Sequence, residues 1–253
     1  MQLPVTRVVQ LRRRVVAVTT STTQPGGRRA AAAARRRERQ AGIVAATREL
    51  FDQRGVREAQ IEDIARAVGI NRAIVYRHFT GKEEIFALTL VSYLDELREA
   101  LVEADHDGDD APTRLRSIVG AFVDYGLAHP AFVDCAQDLM RQQWAELTDE
   151  ISEGALYRLG RAMTGCLNIL IGVLEQGTAS GELHVDDPGL LANTLYASGL
   201  GTLQLARVGI LVTEVSPGVP SVASVSRDQV RDYLVTSALA VAGAPRPASR
   251  TRE

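Results

Sequence analysis

The chain is short of most things that announce chemistry. Its 253 residues include two cysteines, one tryptophan and three methionines, and aromatics make up only 5%. Cys135 and Cys166 each lie in an apolar helical context, with no CxxC and no metal-ligand spacing. A disulfide framework and a zinc site are therefore not expected, and both thiols read as reduced core residues of a cytoplasmic protein. No run approaches the roughly 18 apolar residues of a membrane span, and the stretch Val15-Val16-Ala17-Val18 is too short for a secretory signal. His78, His106, His129 and His184 fit no metalloprotease or deaminase spacing, and there is no P-loop, dinucleotide fingerprint or nucleophile elbow. The acidic run Asp105–Asp110 fails as a calcium loop, because the required glycine falls on Asp110 and the bidentate glutamate on Arg116. The expectation is a protein without enzymatic activity, cofactor or metal.

What is present is an uneven charge. Residues 1–80 hold 16 arginines against six acids, whereas the remainder holds 13 basic residues against 25 acids. A basic first third on an acidic body points to a polyanion as the partner of the first third.

Residues 1–34, with Arg12-Arg13-Arg14, a Ser/Thr run and Pro25-Gly26-Gly27, show no sustained period and read as a disordered basic extension. Helical spacing begins in Arg36–Arg54, with Ile43, Ala46, Leu50 and Phe51, and Gly55 ends it. A short helix is predicted over Gln60–Ala67. Gly69 makes a tight turn, Asn71 caps a third helix running to His78, and Thr80-Gly81 precede a long helix over Lys82–Ala104. Further helices are predicted at 113–128, 130–143, 148–178, 187–208 and 227–242, with 209–226 as a loop on account of Pro217-Gly218-Val219-Pro220 and its serines. The fold class is all-α, without strands or repeats. The boundaries are a helix-turn-helix domain over 35–90, a larger helical domain over 91–243 and a disordered tail over 244–253.

Three short helices with a glycine turn before the third form a helix-turn-helix, whose third helix can enter a major groove. The pairs Leu50-Phe51, Asp63-Ile64-Ala65, Gly69-Ile70, Val75-Tyr76, His78-Phe79 and Lys82-Glu83, in this order and spacing, make Arg36–Leu90 resemble the TetR-family DNA-binding domain. The resemblance implies a double-stranded operator and a phosphate contact from Tyr76. It implies another from Lys82, where ammonium and helix N-terminus act together. Asn71, Arg72, Ala73 and Arg77 lie on the exposed side of the third helix. Arg72 is the candidate base reader, since a guanidinium pairs bidentately with guanine, and Arg77 is assigned to phosphate. His78 and Phe79 are assigned to packing. Ala59 stands where the family has a capping threonine, and Gln60 is the expected substitute.

The resemblance also implies a homodimer and a small-molecule effector in the second domain, hydrophobic or amphipathic, which releases a repressor from its operator. Phe122, Tyr125, Phe132, Met140, Trp144 and Tyr157 are the candidate lining, with Gln137 and Arg141 as polar contacts. The small-residue run Ala197–Gly201, with Tyr233, Leu234 and Leu239, is the expected dimer surface. The alternative is a DNA-binding dimer without a small ligand, controlled by a protein partner.

Overall fold

A computed structural model describes residues 26–141 and 148–244. Helix α1 (Gly26–Arg54) is followed by α2 (Ile61–Val68) and α3 (Arg72–His78). These three pack through Ile43, Leu50, Phe51, Ile64, Val75 and Phe79, all buried. Helix α1 begins at Gly26, ahead of the boundary read from sequence at 35. Its added residues include an alanine-arginine tract, Arg29–Arg37, of high intrinsic helix propensity, which stays helical although exposed. At the turn, Gly69 takes φ +71°, and its N–H and that of Ile70 reach back to Arg66 and Ala65. A side chain there would be strained.

The body comprises α4 (Lys82–Ala104), α5 (Ala111–Ala128), α6 (Pro130–Arg141), α7 (Glu153–Ser180), α8 (Pro188–Val208) and α9 (Arg227–Val241). Helix α4 lies along α7 and packs also on α5, α6 and α1. The sequence predicts one helix over 148–178, but the chain breaks at Ile151-Ser152. Ile151 is buried and Ser152 caps α7, accepting from the Ala155 N–H. A second correction concerns 209–226: it is an antiparallel hairpin of β1 (Ile210–Ser216) and β2 (Val219–Ser224), with Val212 opposite Val222. Pro217-Gly218 forms its turn, Gly218 at φ +80°, and β-branched residues on both sides favour the pleat. The acidic linker is spent on structure: Asp105 grips the buried Arg114 bidentately at 2.6 and 2.9 Å, and Asp110 caps α5.

Helix α1 is tied to the body by a polar network. Arg48 donates to Glu96 on α4 and to the Ser92 carbonyl (3.3 Å), and its guanidinium lies 4.3 Å from the centroid of Tyr93. The Tyr93 hydroxyl, on a fully buried ring, donates back to Asp52 of α1 at 2.7 Å. From α5, the Tyr125 hydroxyl proton is shared between the Tyr93 carbonyl (2.9 Å) and Glu96 (3.2 Å). Burial opposes the charge of Glu96, but the hydrogen bond and charge of Arg48, helped by His129 and Tyr125, outweigh it and hold the carboxyl below its ordinary 4.5. A depressed carboxyl pKa contributes stability that is complete above the unfolded value and lost as pH falls through the folded one. Glu96→Gln is therefore expected to cost about 0.5–1 kcal/mol at pH 7, a range discounted for the partial exposure of the pair. The gap to wild type should close below about pH 4.5. Urea melts at pH 7 and 4 check this, and a gap independent of pH would contradict it.

Candidate nucleic-acid interface and effector cavity

Helix α3 buries Val75 and leaves Asn71, Arg72, Ala73, Tyr76 and Arg77 exposed at its start and along its outer face. The Asn71 side chain caps the helix by accepting from the Ile74 N–H at 3.0 Å. Arg72 is prefolded: it donates to Glu62 of α2 at 2.7 Å and to the Tyr76 hydroxyl at 3.3 Å, and stacks 5.3 Å from the Tyr76 centroid. Both partners are exposed, so exchanging them for a base edge is cheap. Among the described residues Arg77 has no carboxylate partner within ion-pairing distance. Lys82 opens α4, with its ammonium 4.7 Å from the Phe86 ring centroid.

Gln60 takes the N-cap position of α2, but its side chain makes no capping bond, and the preceding Ala59 is buried. The sequence-based expectation of a Gln60 cap is corrected: short side chains such as Ser or Asp reach the N3 amide, and the longer glutamine does not. His78 packs as expected. Burial, then the charges of Arg36 and Arg39, hold its imidazole below its ordinary value, while its carbonyl accepts from Gln40 at 2.8 Å.

A second tie between head and body runs through Glu84. Glu84, buried in the first turn of α4, accepts from the Thr80 N–H (2.5 Å), the Thr80 hydroxyl (2.9 Å) and the hydroxyl of Ser152 at the start of α7. A buried carboxylate is tolerated only with such a full set of donors. Neither Glu84 nor Ser152 carried a sequence signal beyond the capping habit of serine.

The body holds a partly open apolar cavity of about 60 Å³. Leu94, Leu97 and Leu101 of α4 form one wall. Phe122 of α5, Met163 and Leu167 of α7 and Tyr196 of α8 form others. Gly199 matters here: a Cβ on it would stand 2.7 Å from Phe122 Cε1. Of the lining residues expected from sequence, Phe122 is at the cavity. Phe132 and Tyr125 are absorbed into the core between α4, α5 and α6. Gln137 is occupied by the Leu200 carbonyl (3.0 Å), and Arg141 pairs with Asp138 in solvent. Met140 and Tyr157 are 53% and 71% exposed and do not line the cavity, and Trp144 lies outside the described residues. Bulky type alone did not distinguish a cavity wall from core or surface. The polar atoms at the cavity wall are few. Burial pushes the Cys166 thiol up to about 12, and burial, then Cys166, raises the Tyr196 hydroxyl. The expected dimer residues are partly used within the chain, since Gly199, Leu200, Leu234 and Leu239 are buried against it.

A helix-turn-helix head on a helical body with an internal apolar cavity defines the class. Residues 43–88 match the family described as bacterial regulatory proteins, tetR family. That match lies in the helix-turn-helix head, and over the body the likeness is one of fold. It is 32% identical over 88 residues to the HTH-type transcriptional activator FasR of Mycolicibacterium smegmatis, a stretch that covers 35% of this chain and 40% of FasR. Its fold is similar to a tetR-family regulatory protein from Rhodococcus RHA1, with TM-score 0.59 and 19% identity, covering 81% of this chain and 97% of that one. It is also similar to the FadR regulator of Bacillus subtilis solved in complex with stearoyl-CoA, with TM-score 0.56 and 18% identity, covering 81% and 98%.

Supplying the missing cap is expected to stabilise the head. Gln60→Ser should raise the stability of the helix-turn-helix by about 0.5–1 kcal/mol, read as a higher urea midpoint. An unchanged or lower midpoint would show that the end of α2 is satisfied in another way.

Proposed function

We propose that the protein is a homodimeric operator-binding repressor, released from DNA by a small apolar or amphipathic ligand, and that it acts by binding and not by turnover. The observation that carries the DNA half is the outer face of α3. Asn71, Arg72, Ala73, Tyr76 and Arg77 are exposed together while Val75 and Phe79 anchor the helix. Arg72 reads a base, and Tyr76, Arg77 and Lys82 hold phosphates and set register. Gln60 and Asn71 flank the reading surface. Two such heads meet successive major grooves about 34–36 Å apart, or a multiple of it.

The aliphatic cavity supports the ligand half. Its thiol is protonated at neutral pH, so the cavity offers no nucleophile. At about 60 Å³ it is well below the 300–1,000 Å³ or so of a small-molecule site. Entry must therefore swing the half-buried Phe122, Met163 and Leu167 and press on α4. Because α4 also carries Lys82 and the Glu84 latch, pressure on its wall shifts the head. The ligand then favours the head spacing that DNA does not, by its differential affinity for the two states. The FadR complex makes long-chain acyl-CoA a sensible first probe.

DNA binding is checked by fluorescence anisotropy on the protein's own upstream DNA across a salt series. Arg72→Ala should lose about 1–3 kcal/mol of discrimination between specific and random sequence. Lys82→Ala should weaken both equally and lower the salt slope by about one. Weak binding, equal on all sequences, would sink the operator reading. A promoter reporter that falls on deletion of the gene would make the protein an activator instead.

For the ligand, saturating stearoyl-CoA at about 100 times its dissociation constant should add about 2.7 kcal/mol of stability. That corresponds to roughly 5–10 °C in Tm for a chain of this size. Leu167→Trp, which fills the cavity, should abolish the shift and leave DNA binding intact. No shift with acyl-CoAs, free fatty acids or apolar drugs would favour a dimer controlled by a protein partner.

A further inference from the structure

Nine of the fourteen large hydrophobic side chains exposed among the described residues fall within positions 205–241. Leu205 and Val208 stand on the last turns of α8, Val212 and Val222 on the hairpin, and Tyr233 on α9. The register sets Val212 directly opposite Val222, with Pro220 opposite Glu214 and Ile210 opposite Ser224 on the same face. Val212 is 80% exposed and Val222 63%. A two-stranded ribbon is marginal by itself in water. This one packs chiefly on itself, touching the body at its root beside α8, where the Val225 N–H reaches the Gly209 carbonyl at 3.0 Å. An isolated ribbon with an open apolar face is a surface that needs covering.

The chemistry of the arm selects what covers it. From Gly209 to Ser226 the one charged residue is Glu214, and its carboxylate is occupied by the Gly218 N–H of its own turn. The arm has no cation for nucleic acid or an acidic partner, and no Trp, Tyr, Lys or Arg to anchor it at a membrane surface. Apart from Glu214, which is tied back into its own turn, the face is apolar and uncharged, so a second copy brings little like charge against it, as a two-fold interface requires. At its root the patch meets the end of α8, where Leu205 and Val208 are exposed. At its edge Arg207 is neutralised by Asp134 at 2.5 Å.

We propose that the β1–β2 hairpin is an arm that clasps a second copy of this chain, extending an interface begun by α8 and α9. The proposal rests on the homodimer reading above and adds to it a specific structural element. The arm contributes apolar area without drawing on the core, so its removal leaves a folded protomer.

The test is sedimentation equilibrium of the full chain from nanomolar to micromolar concentration. The double variant Val212→Lys/Val222→Lys is compared with wild type and with Val102→Lys, an exposed apolar position on α4. The arm variant should raise the dimer dissociation constant at least tenfold, with an unchanged far-UV spectrum, while Val102→Lys matches wild type. Hydrogen exchange should show β1 and β2 amides protected in the dimer and open in the dissociated arm variant. A wild-type dimer whose dissociation constant is the same in the arm variant overturns the clasp and leaves the homodimer reading standing. A wild type that stays monomeric at 100 micromolar overturns both.

Discussion

The position of α3 relative to the cavity depends on one strut, α4. Its first turn carries Lys82, set over the Phe86 ring, and the buried Glu84 that ties head to α7. Its middle carries Tyr93 and Glu96, which bind α1 and α5, and Leu94, Leu97 and Leu101 line the cavity. At about 1.5 Å per residue, the cavity wall at Leu94 is some 18 Å from Lys82. A rigid helix pushed at its middle moves at its end. The latch matters because a buried carboxylate has no cheap half-satisfied state. Glu84 keeps all its donors or must find water, so the junction has discrete arrangements and not a continuum.

The parts of this design differ in how far the sequence exposed them. The head was legible because its constraints are local. Gly69 with positive φ, the Asn71 cap, the Gly55 stop and the start of α4 at Lys82 each follow from one residue's backbone or capping preference. The exposed face of α3 followed from period alone. The cavity was not legible. Leu94, Leu97, Leu101 and Leu167 have the same type and spacing as any core leucine, and whether a void lies beside them depends on which neighbours α5, α7 and α8 fail to bring. Aromatic and Met positions were the natural guess, but Tyr125 and Phe132 are spent on the core and Tyr157 and Met140 on the surface. The hairpin is masked in the sequence because Pro217, Gly218 and Pro220 are loop signals that dominate the whole segment. The signal that could have found it was the run Ile210–Val215, with Val212 and Val215, ending at a Pro-Gly turn.

Long-range ion pairs show the same limit. Arg114 is a buried arginine held by Asp105 nine residues away and by Gln176 at 2.7 Å from a different helix. The Arg231–Asp124 pair joins α9 to α5 at 2.8 and 3.1 Å. Composition counts these as surface charge. In the fold they pin the linker and the last helix, and so fix the walls that α5 and α9 present to the cavity.

Helix α8 places the cavity and the apolar arm on one rigid element. Its middle, Leu195, Tyr196 and Gly199, faces the cavity, with Phe122 closed against Gly199 where no side chain could fit. Its last turns carry Leu205 and Val208 outward into the patch that continues along the hairpin. The span from Gly199 to Val208 is nine residues, about 14 Å of helix. A ligand that displaces Phe122 therefore loads α4 on one side and α8 on the other: the strut that holds the head and the helix from which the arm springs. Packed helices redistribute such a load as small shifts at their contacts and not as internal stretching. A group that enters this cavity thus acts on the angle between α4 and the end of α8.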